Sequence, residues 1–297
     1  MDTAELIRRV RRIELRTRGL SNRIFSGEYH SAFKGQGMAF RENRAYQPGD
    51  SIRAIDWNVT ARMNSPFIKV FEEERELTAM LLVDVSASGS MGSRGGTVRQ
   101  LAAELSAVLA FSAMQNGDKV GALLFTDRVE KFIPPKKGRS HVLRIVRELL
   151  EFDPVGRGTD LELALEHFSR AMKKRTISFL ISDFQVELEG EEKGSSFEKI
   201  LQRAARKHDL VALQMAAPMD LEMGDMGWAL SCDPETGQQD WMRTGGKAWR
   251  KRFNAAADQH QKSLEQHFRR CGIDHTRLRT DRPYVEPLMQ LFDRRGK

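Results

Sequence analysis

The sequence predicts an α/β protein, a mostly parallel sheet with helices on both faces, preceded by a smaller lobe of different texture. Three observations carry that prediction. From about Leu77 onward, short apolar runs alternate with stretches of helical periodicity. The runs are nearly continuous in aliphatic residues, as strands buried on both faces must be. Upstream, residues 27–74 are rich in Gly, aromatics and β-formers and lack that alternation.

Met80-Leu81-Leu82-Val83 reads as the first strand of the sheet. Residues 98–114 follow as a helix, with Leu101, Leu105, Val108 and Leu109 on one side. Asn116-Gly117-Asp118 then turns the chain into a second strand at 120–125, and 128–133 doubles back as an edge hairpin. Segments 140–150 and 161–172 read as helices, 177–181 as the next buried strand, 197–207 as a helix and 210–214 as a strand. A long helix near 248–270 precedes a final strand and helix.

Two stretches interrupt the alternation. Residues 190–196 are acidic and Gly/Ser-bearing and are expected to be a surface loop. Residues 228–243 read as a hairpin around Asp233-Pro234-Glu235-Thr236-Gly237, projecting from the sheet's edge. Its Trp228 and Trp241 suit either a partner surface or packing against the domain. Before the sheet, Leu6, Ile7, Val10, Ile13 and Leu15 lie at helical spacing among six arginines, predicting an amphipathic helix with a solvated basic face. Strands are expected at 38–41 and 52–57, flanking the turn Gln47-Pro48-Gly49-Asp50, and again at 67–71. The resulting division is 1–76, an N-terminal helix plus small β-rich lobe, and 77–297, the α/β domain with a hairpin insertion near 228–243.

The chain has 297 residues, 40% apolar and 30% charged, enough to bury a core. No apolar run approaches the roughly 20 residues that span a bilayer, and residues 1–20 do not resemble a secretory signal. A cytoplasmic location and no membrane partner are the expectation. Two cysteines provide no disulfide framework. His267, Cys271 and His275 are spaced by four, but Gly272 should end the helix at Cys271 and take His275 off the shared face. The net charge of +7 permits nucleic-acid binding, yet no aromatics interleave with the basic residues to stack bases, so nucleic acid is not an expected partner.

The chemistry lies at three strand-to-helix transitions. Asp84-Val85-Ser86-Ala87-Ser88 follows the first strand, Gly158-Thr159-Asp160 precedes a helix, and Ile181-Ser182-Asp183 ends another buried strand. In an open parallel sheet, residues just past the strand ends face one crevice. Taken singly, these are ordinary helix caps. Together they predict a hard-cation site in which Ser86 and Ser88 ligate Mg²⁺ directly, Thr159 adds a hydroxyl, and Asp84 and Asp183 act through water. Mn²⁺ or Ca²⁺ would suit the same oxygens. That shell brings little negative charge into direct contact, so a carboxylate from a partner protein would complete it.

This order resembles the metal-ion-dependent adhesion site of von Willebrand factor A domains. The resemblance implies a Rossmann-like sheet with one antiparallel edge strand and Mg²⁺ on its rim. A narrower likeness runs through Tyr29-His30-Ser31, Gly35-Gln36-Gly37, Arg44-Ala45-Tyr46-Gln47-Pro48-Gly49-Asp50, Arg53-Ala54-Ile55-Asp56-Trp57 and Lys69-Val70-Phe71-Glu72-Glu73. These segments resemble domain-of-unknown-function family 58, which joins such a stretch to a von Willebrand A-like domain. That likeness implies a partner, a MoxR-type AAA+ ATPase or its client, and a role in chaperone-like maturation or remodelling of protein complexes. Gly89-Ser90 before Met91 departs from the pattern, which has Met directly after the second serine, and makes Ser90 a competitor of Ser88. In the upstream segment, Arg44, Arg53 and Arg62 against Asp50, Asp56 and Glu72 suggest a buried ion-pair network, with Trp57 packed beside it.

The expected function is therefore a non-enzymatic, Mg²⁺-dependent protein-interaction module. The alternative is a metal-dependent phosphoesterase or nuclease in the same crevice. Against it, there is no second carboxylate cluster and no base near the motifs beyond His30 and His141. No Walker motif or nucleophile elbow occurs.

Overall fold

The computed structural model describes residues 38–73, 77–90, 92–93, 96–185, 196–232 and 237–296. The expected N-terminal helix, the 190–195 part of the acidic loop and residues 233–236 of the hairpin turn lie outside them. By its contacts the chain divides into two compact units, whose described residues are 38–73 with Leu77, and those from Thr78 onward.

In the smaller unit, β1 (Met38–Ala45) pairs antiparallel with β2 (Phe67–Glu73), with a register shift between Phe40 and Glu42. The strand expected at 52–57 does not form. Ile52–Ala54 makes a 3₁₀ turn and Trp57–Met63 forms α1. Local capping overrides the β-formers here, because the Asp56 carboxylate accepts from the backbone N–H groups of Asn58 and Val59 at 3.1 and 3.3 Å. Asn64, at φ 50°, stops the helix in the left-handed region. The expected buried arginine network is also absent from the described residues. Arg44 pairs with Asp50 at 3.0 Å near the surface, while Asp56 faces Lys69 at 3.7 Å. Trp57 is 67% exposed instead of packed.

The larger unit is built on six strands in the order β12-β9-β8-β3-β6-β7. In chain order these are β3 (Thr78–Asp84), β6 (Lys119–Phe125), β7 (Val129–Lys136), β8 (Ile177–Ser182), β9 (Asp209–Ala216) and β12 (Asp274–Arg279). All neighbours are parallel except β6 and β7, so one edge strand is antiparallel. This is the sheet that the von Willebrand A resemblance implies. Met80, Leu81 and Leu82 are wholly buried, and every residue of β8 is buried, as a sheet covered on both faces requires. The two-residue strands β4 (Gly92–Ser93) and β5 (Gly96–Thr97) pair with each other just before α2 (Val98–Gln115). That helix starts on a reciprocal cap: Thr97 Oγ1 accepts from Gln100 N, and the Gln100 side chain accepts from Thr97 N.

The remaining layers are α3 (Arg139–Glu151), α4 (Leu161–Ala171), α5 (Ser196–Lys207), the short α6 (Pro218–Leu221), α7 (Lys247–Cys271) and α8 (Val285–Gly296). Helix α7 ends at Cys271, with Gly272 in the left-handed region, where the sequence placed its stop. One face of the core joins Leu82, Leu123 and Leu180 of the sheet to Leu165 and Phe168 of α4, Leu201 of α5, and Leu264 and Phe268 of α7. Arg295 of α8 clamps the other edge by pairing with Asp209 at 2.5 Å and Asp274 at 2.7 Å.

Gly121 marks how closely the antiparallel edge is packed. It lies where the β6–β7 register shifts, and a Cβ there would meet the Ile133 carbonyl and the Pro135 nitrogen at 2.9 Å. Both are backbone atoms of β7, and the Met80 sulfur would stand at 2.6 Å, so there is little room to relax. Gly121→Ala is expected to cost about 1–3 kcal/mol, read as a fall of several degrees in the melting temperature. An unchanged melting temperature would show that the edge yields.

Candidate metal and partner-binding crevice

The order of the strands decides where the site lies. From β3 the chain runs outward to β6 and β7, then returns to the other side of β3 as β8, leaving a switch point between β3 and β8. Asp84 is the last residue of β3, and Asp183 follows the last residue of β8. Val83 lies opposite Ile181, so Asp84 is level with Ser182 and Asp183 stands one residue further along the adjacent strand, at the same end of the sheet. Asp84, Ser86, Ser88, Ser182 and Asp183 line one small crevice with Gly89, Arg99 and Met215.

Each side chain has a local reason for its position. Asp84 Oδ1 accepts from Ser86 N at 2.9 Å, turning the chain so that the Ser86 and Ser88 hydroxyls meet at 2.9 Å. Thr159 Oγ1 donates to Asp84 Oδ2 at 3.3 Å and so joins the group from the loop before α4. That loop is held from outside the site. Glu130 Oε1 accepts from Gly156 N at 2.7 Å and from Thr126 Oγ1 at 2.9 Å, while Ala87 N donates to the Arg157 carbonyl at 3.0 Å. Asp160, next to Thr159, caps α4 by accepting from Leu163 N.

The Asp183 turn is held in a strained conformation. Phe184 has φ 55°, a value that bulky residues rarely adopt. Its N–H donates to Ser182 Oγ at 3.0 Å, its carbonyl is bonded by His260 Nε2 at 3.0 Å, and its buried ring meets Phe268 edge-on at 5.2 Å. Gln185 N donates to Asp183 Oδ1 at 3.1 Å, which completes the turn.

All five residues singled out in the sequence thus lie together. Two further neighbours were not singled out. Ser182 Oγ donates to Asp84 Oδ2 at 2.7 Å, a residue that the sequence showed only as part of a strand end. Arg99, half-buried on the first turn of α2, lines the crevice, and nothing in the linear sequence connects it to Asp84. The side chain of Ser90, weighed as a competitor of Ser88, is outside the described residues. The other residues considered for chemistry lie elsewhere. His141 bonds the Val120 carbonyl at 3.0 Å, and His267 packs near Glu198 at 3.8 Å. Cys271 donates to the Glu198 carbonyl at 3.7 Å, and burial pushes its thiol up to about 11.

Burial, and then the charge of Asp183, push the Asp84 carboxyl up to about 6, against the hydroxyl and N–H donors that pull it down. Burial likewise raises Asp220, which caps α6 and senses Asp183. Two carboxylates turned toward one small space repel each other, and a cation between them would relieve the repulsion. The donors on offer are carboxylate and hydroxyl oxygens, which suit a hard divalent ion. Among the described residues, no three His, Cys, Asp or Glu side chains gather closely enough to hold a metal. An ion here would therefore depend on the serine and threonine hydroxyls.

A family model described as "Protein of unknown function DUF58" matches residues 42–263, well over half of the chain, and the chain belongs to that family. An uncharacterised protein of Mycobacterium tuberculosis is 29% identical over 299 residues, covering 100% of this chain and 92% of its own length. Among solved structures, an aerotolerance-related membrane protein from Bacteroides fragilis aligns with a TM-score of 0.49 at 14% identity, over 74% of this chain and 98% of its own. Proximal thread matrix protein 1 from the mussel byssus, solved with a zinc-occupied metal-ion-dependent adhesion motif, aligns with a TM-score of 0.34 at 18% identity, over 48% and 38%.

The membrane protein among these neighbours corrects one expectation. A cytoplasmic location does not stand for this chain. Composition does not separate the two cases, because a folded domain carries the same polar surface whether it is free or held at a bilayer. Among the described residues, no helix is long and apolar enough to cross a membrane.

The carboxylate pair sets a pH dependence. The folded value of Asp84, about 6, lies above its ordinary value of 3.8, so the metal-free fold binds the proton more tightly than the unfolded chain does. Metal-free stability should therefore rise as pH falls from 7 through 6 toward 4, as far as this group is concerned. Asp183→Asn keeps an acceptor for Gln185 N but removes the repelling charge. It should raise the metal-free melting temperature at pH 7 by a few degrees and flatten that pH dependence. Thermal denaturation in EDTA at pH 7 and pH 5 checks both, and a variant that melts lower at pH 7 would contradict the account.

Proposed function

We propose that this chain is a non-enzymatic protein-interaction module that grips a partner's carboxylate through a Mg²⁺ ion in the crevice. Support comes from one juxtaposition, the three hydroxyls of Ser86, Ser88 and Thr159 beside the carboxylates of Asp84 and Asp183. Neutral hydroxyl ligands leave most of a dication's charge uncompensated, and Asp84 is already engaged by Ser86 N, Ser182 and Thr159. An ion so held retains affinity for one more anionic oxygen, and a partner's Asp or Glu supplies it. Arg99 on the rim would add a charge-assisted hydrogen bond to the same carboxylate. Mn²⁺ or Ca²⁺ would serve in place of Mg²⁺. The proposed partner is a MoxR-type AAA+ ATPase or its client, in chaperone-like maturation or remodelling of protein complexes.

Recovery of a MoxR-type ATPase on the immobilised chain should be strong in Mg²⁺, fall at least tenfold in EDTA, and stay low for Asp84→Ala in either condition. Equal recovery in all arms would sink the metal-docking reading. Phosphomonoesters and phosphodiesters should not be turned over. Turnover that disappears in Asp183→Ala would replace this reading with a hydrolytic one.

A further inference from the structure

The hairpin of β10 (Trp228–Cys232) and β11 (Gln239–Arg243) forms a two-stranded sheet of its own. Its register places Leu230 opposite Trp241 and Trp228 opposite Arg243. Because side chains alternate across a strand, Trp228, Leu230, Trp241 and Arg243 share one face. Trp228 is 66% exposed, Trp241 68% and Leu230 48%. The other face carries Ala229, Ser231 and Met242, all half-buried, and the exposed Asp240. The aromatic face is therefore the one turned to solvent.

The base of the hairpin is firmly held. Thr244 is fully buried, its N–H and hydroxyl both donate to the Gly227 carbonyl, at 2.8 and 3.0 Å, and its Oγ1 accepts from Met226 N at 2.9 Å. An isolated two-stranded hairpin is otherwise marginal in water, so the anchorage holds two tryptophans against solvent instead of leaving them to collapse.

We infer that the Trp228–Leu230–Trp241 face is a bilayer-contact surface that lies flat on anionic phospholipid headgroups. Two arguments choose lipid over protein. The three exposed side chains offer on the order of 400 Å² of mostly apolar area, in the range of a monomer's largest and often functional patch. A stable protein–protein interface needs about 800 Å² per partner. The second argument is charge. No acidic residue lies on this face among the described ones, and Arg243 stands beside Trp228. The exposed cations Lys247, Lys251 and Arg252 follow within the next nine residues, and Asp225 is paired with Arg250 at 3.7 Å. Indole rings with flanking cations are the side chains that settle at a bilayer interface. The contact is through this face, and it is independent of the metal crevice.

The full chain should float with vesicles of phosphatidylcholine and phosphatidylglycerol at least tenfold more than with phosphatidylcholine alone, equally in Mg²⁺ and EDTA. In a Trp57→Phe/Trp249→Phe background, where only Trp228 and Trp241 fluoresce, brominated lipid should quench the emission. Trp228→Ser/Trp241→Ser should abolish flotation with an unchanged melting temperature, and Arg243→Gln should shrink the preference for anionic vesicles. Absence of flotation, or flotation without quenching, overturns the inference. So does a self-association in vesicle-free buffer that is lost in Trp241→Ser, which would assign the face to protein.

Discussion

Asp84 and Asp183 carry like charges at the ends of adjacent parallel strands, and the upper rim of the larger unit is organised around keeping them there. Strands in one sheet lie about 4.8 Å apart, so acidic residues within one residue of the same level on neighbours feel each other's charge. Part of the repulsion is offset locally. Ser86 N, Ser182 Oγ and Thr159 Oγ1 all donate to Asp84. Burial and the remaining repulsion leave the Asp84 carboxyl raised, and the arrangement is held by enforced geometry, the left-handed Phe184 wedged against Phe268 and the loop of Thr159 tied to Glu130. Residues far from the crevice thus hold a charge arrangement that a metal-free fold would be more stable without.

That constraint also bears on function. A site built for tight, permanent metal binding would use several direct carboxylates, whereas here hydroxyls outnumber them. Such a shell suits an ion that must remain attractive to an external anion, which is the basis of the proposed partner grip. The hairpin offers a second kind of contact on different chemistry, apolar rings with a cation beside them. One surface would respond to chelation and the other to lipid charge, so the two are separable by experiment.

The alternation of buried strands and helices was plain in the chain itself, because residues such as Met80–Val83 and Ile177–Ile181 have no polar face to offer water. Asp84, Ser86, Ser88 and Asp183 were legible for the same reason, standing where a buried run ends, and Thr159 as part of a helix start. The smaller unit was less legible. β-formers at 52–57 suggested a strand, but a single carboxylate at Asp56, positioned to cap two N–H groups, turned the segment into helix. The arginines of that unit were read as a buried network, yet Arg44 finds Asp50 at the surface and Trp57 stays in solvent. Pairings of long charged side chains depend on which faces come together, and spacing along the chain does not record that.

The sequence alone determined the order of the main strands and helices in the larger unit, the antiparallel return at 128–133 and five oxygen-bearing residues at strand and loop ends. These follow from local periodicity and from the rule that a run without polar atoms must be buried. Only the tertiary structure decided that Ser182 and Arg99 share the crevice, that burial and Asp183 raise the carboxyl of Asp84, and that the face of Trp228 and Trp241 points outward. Each of these depends on which strand lies beside which and which way a face is turned. Those relations arise between residues distant in sequence, where linear spacing carries no information about charge or solvent.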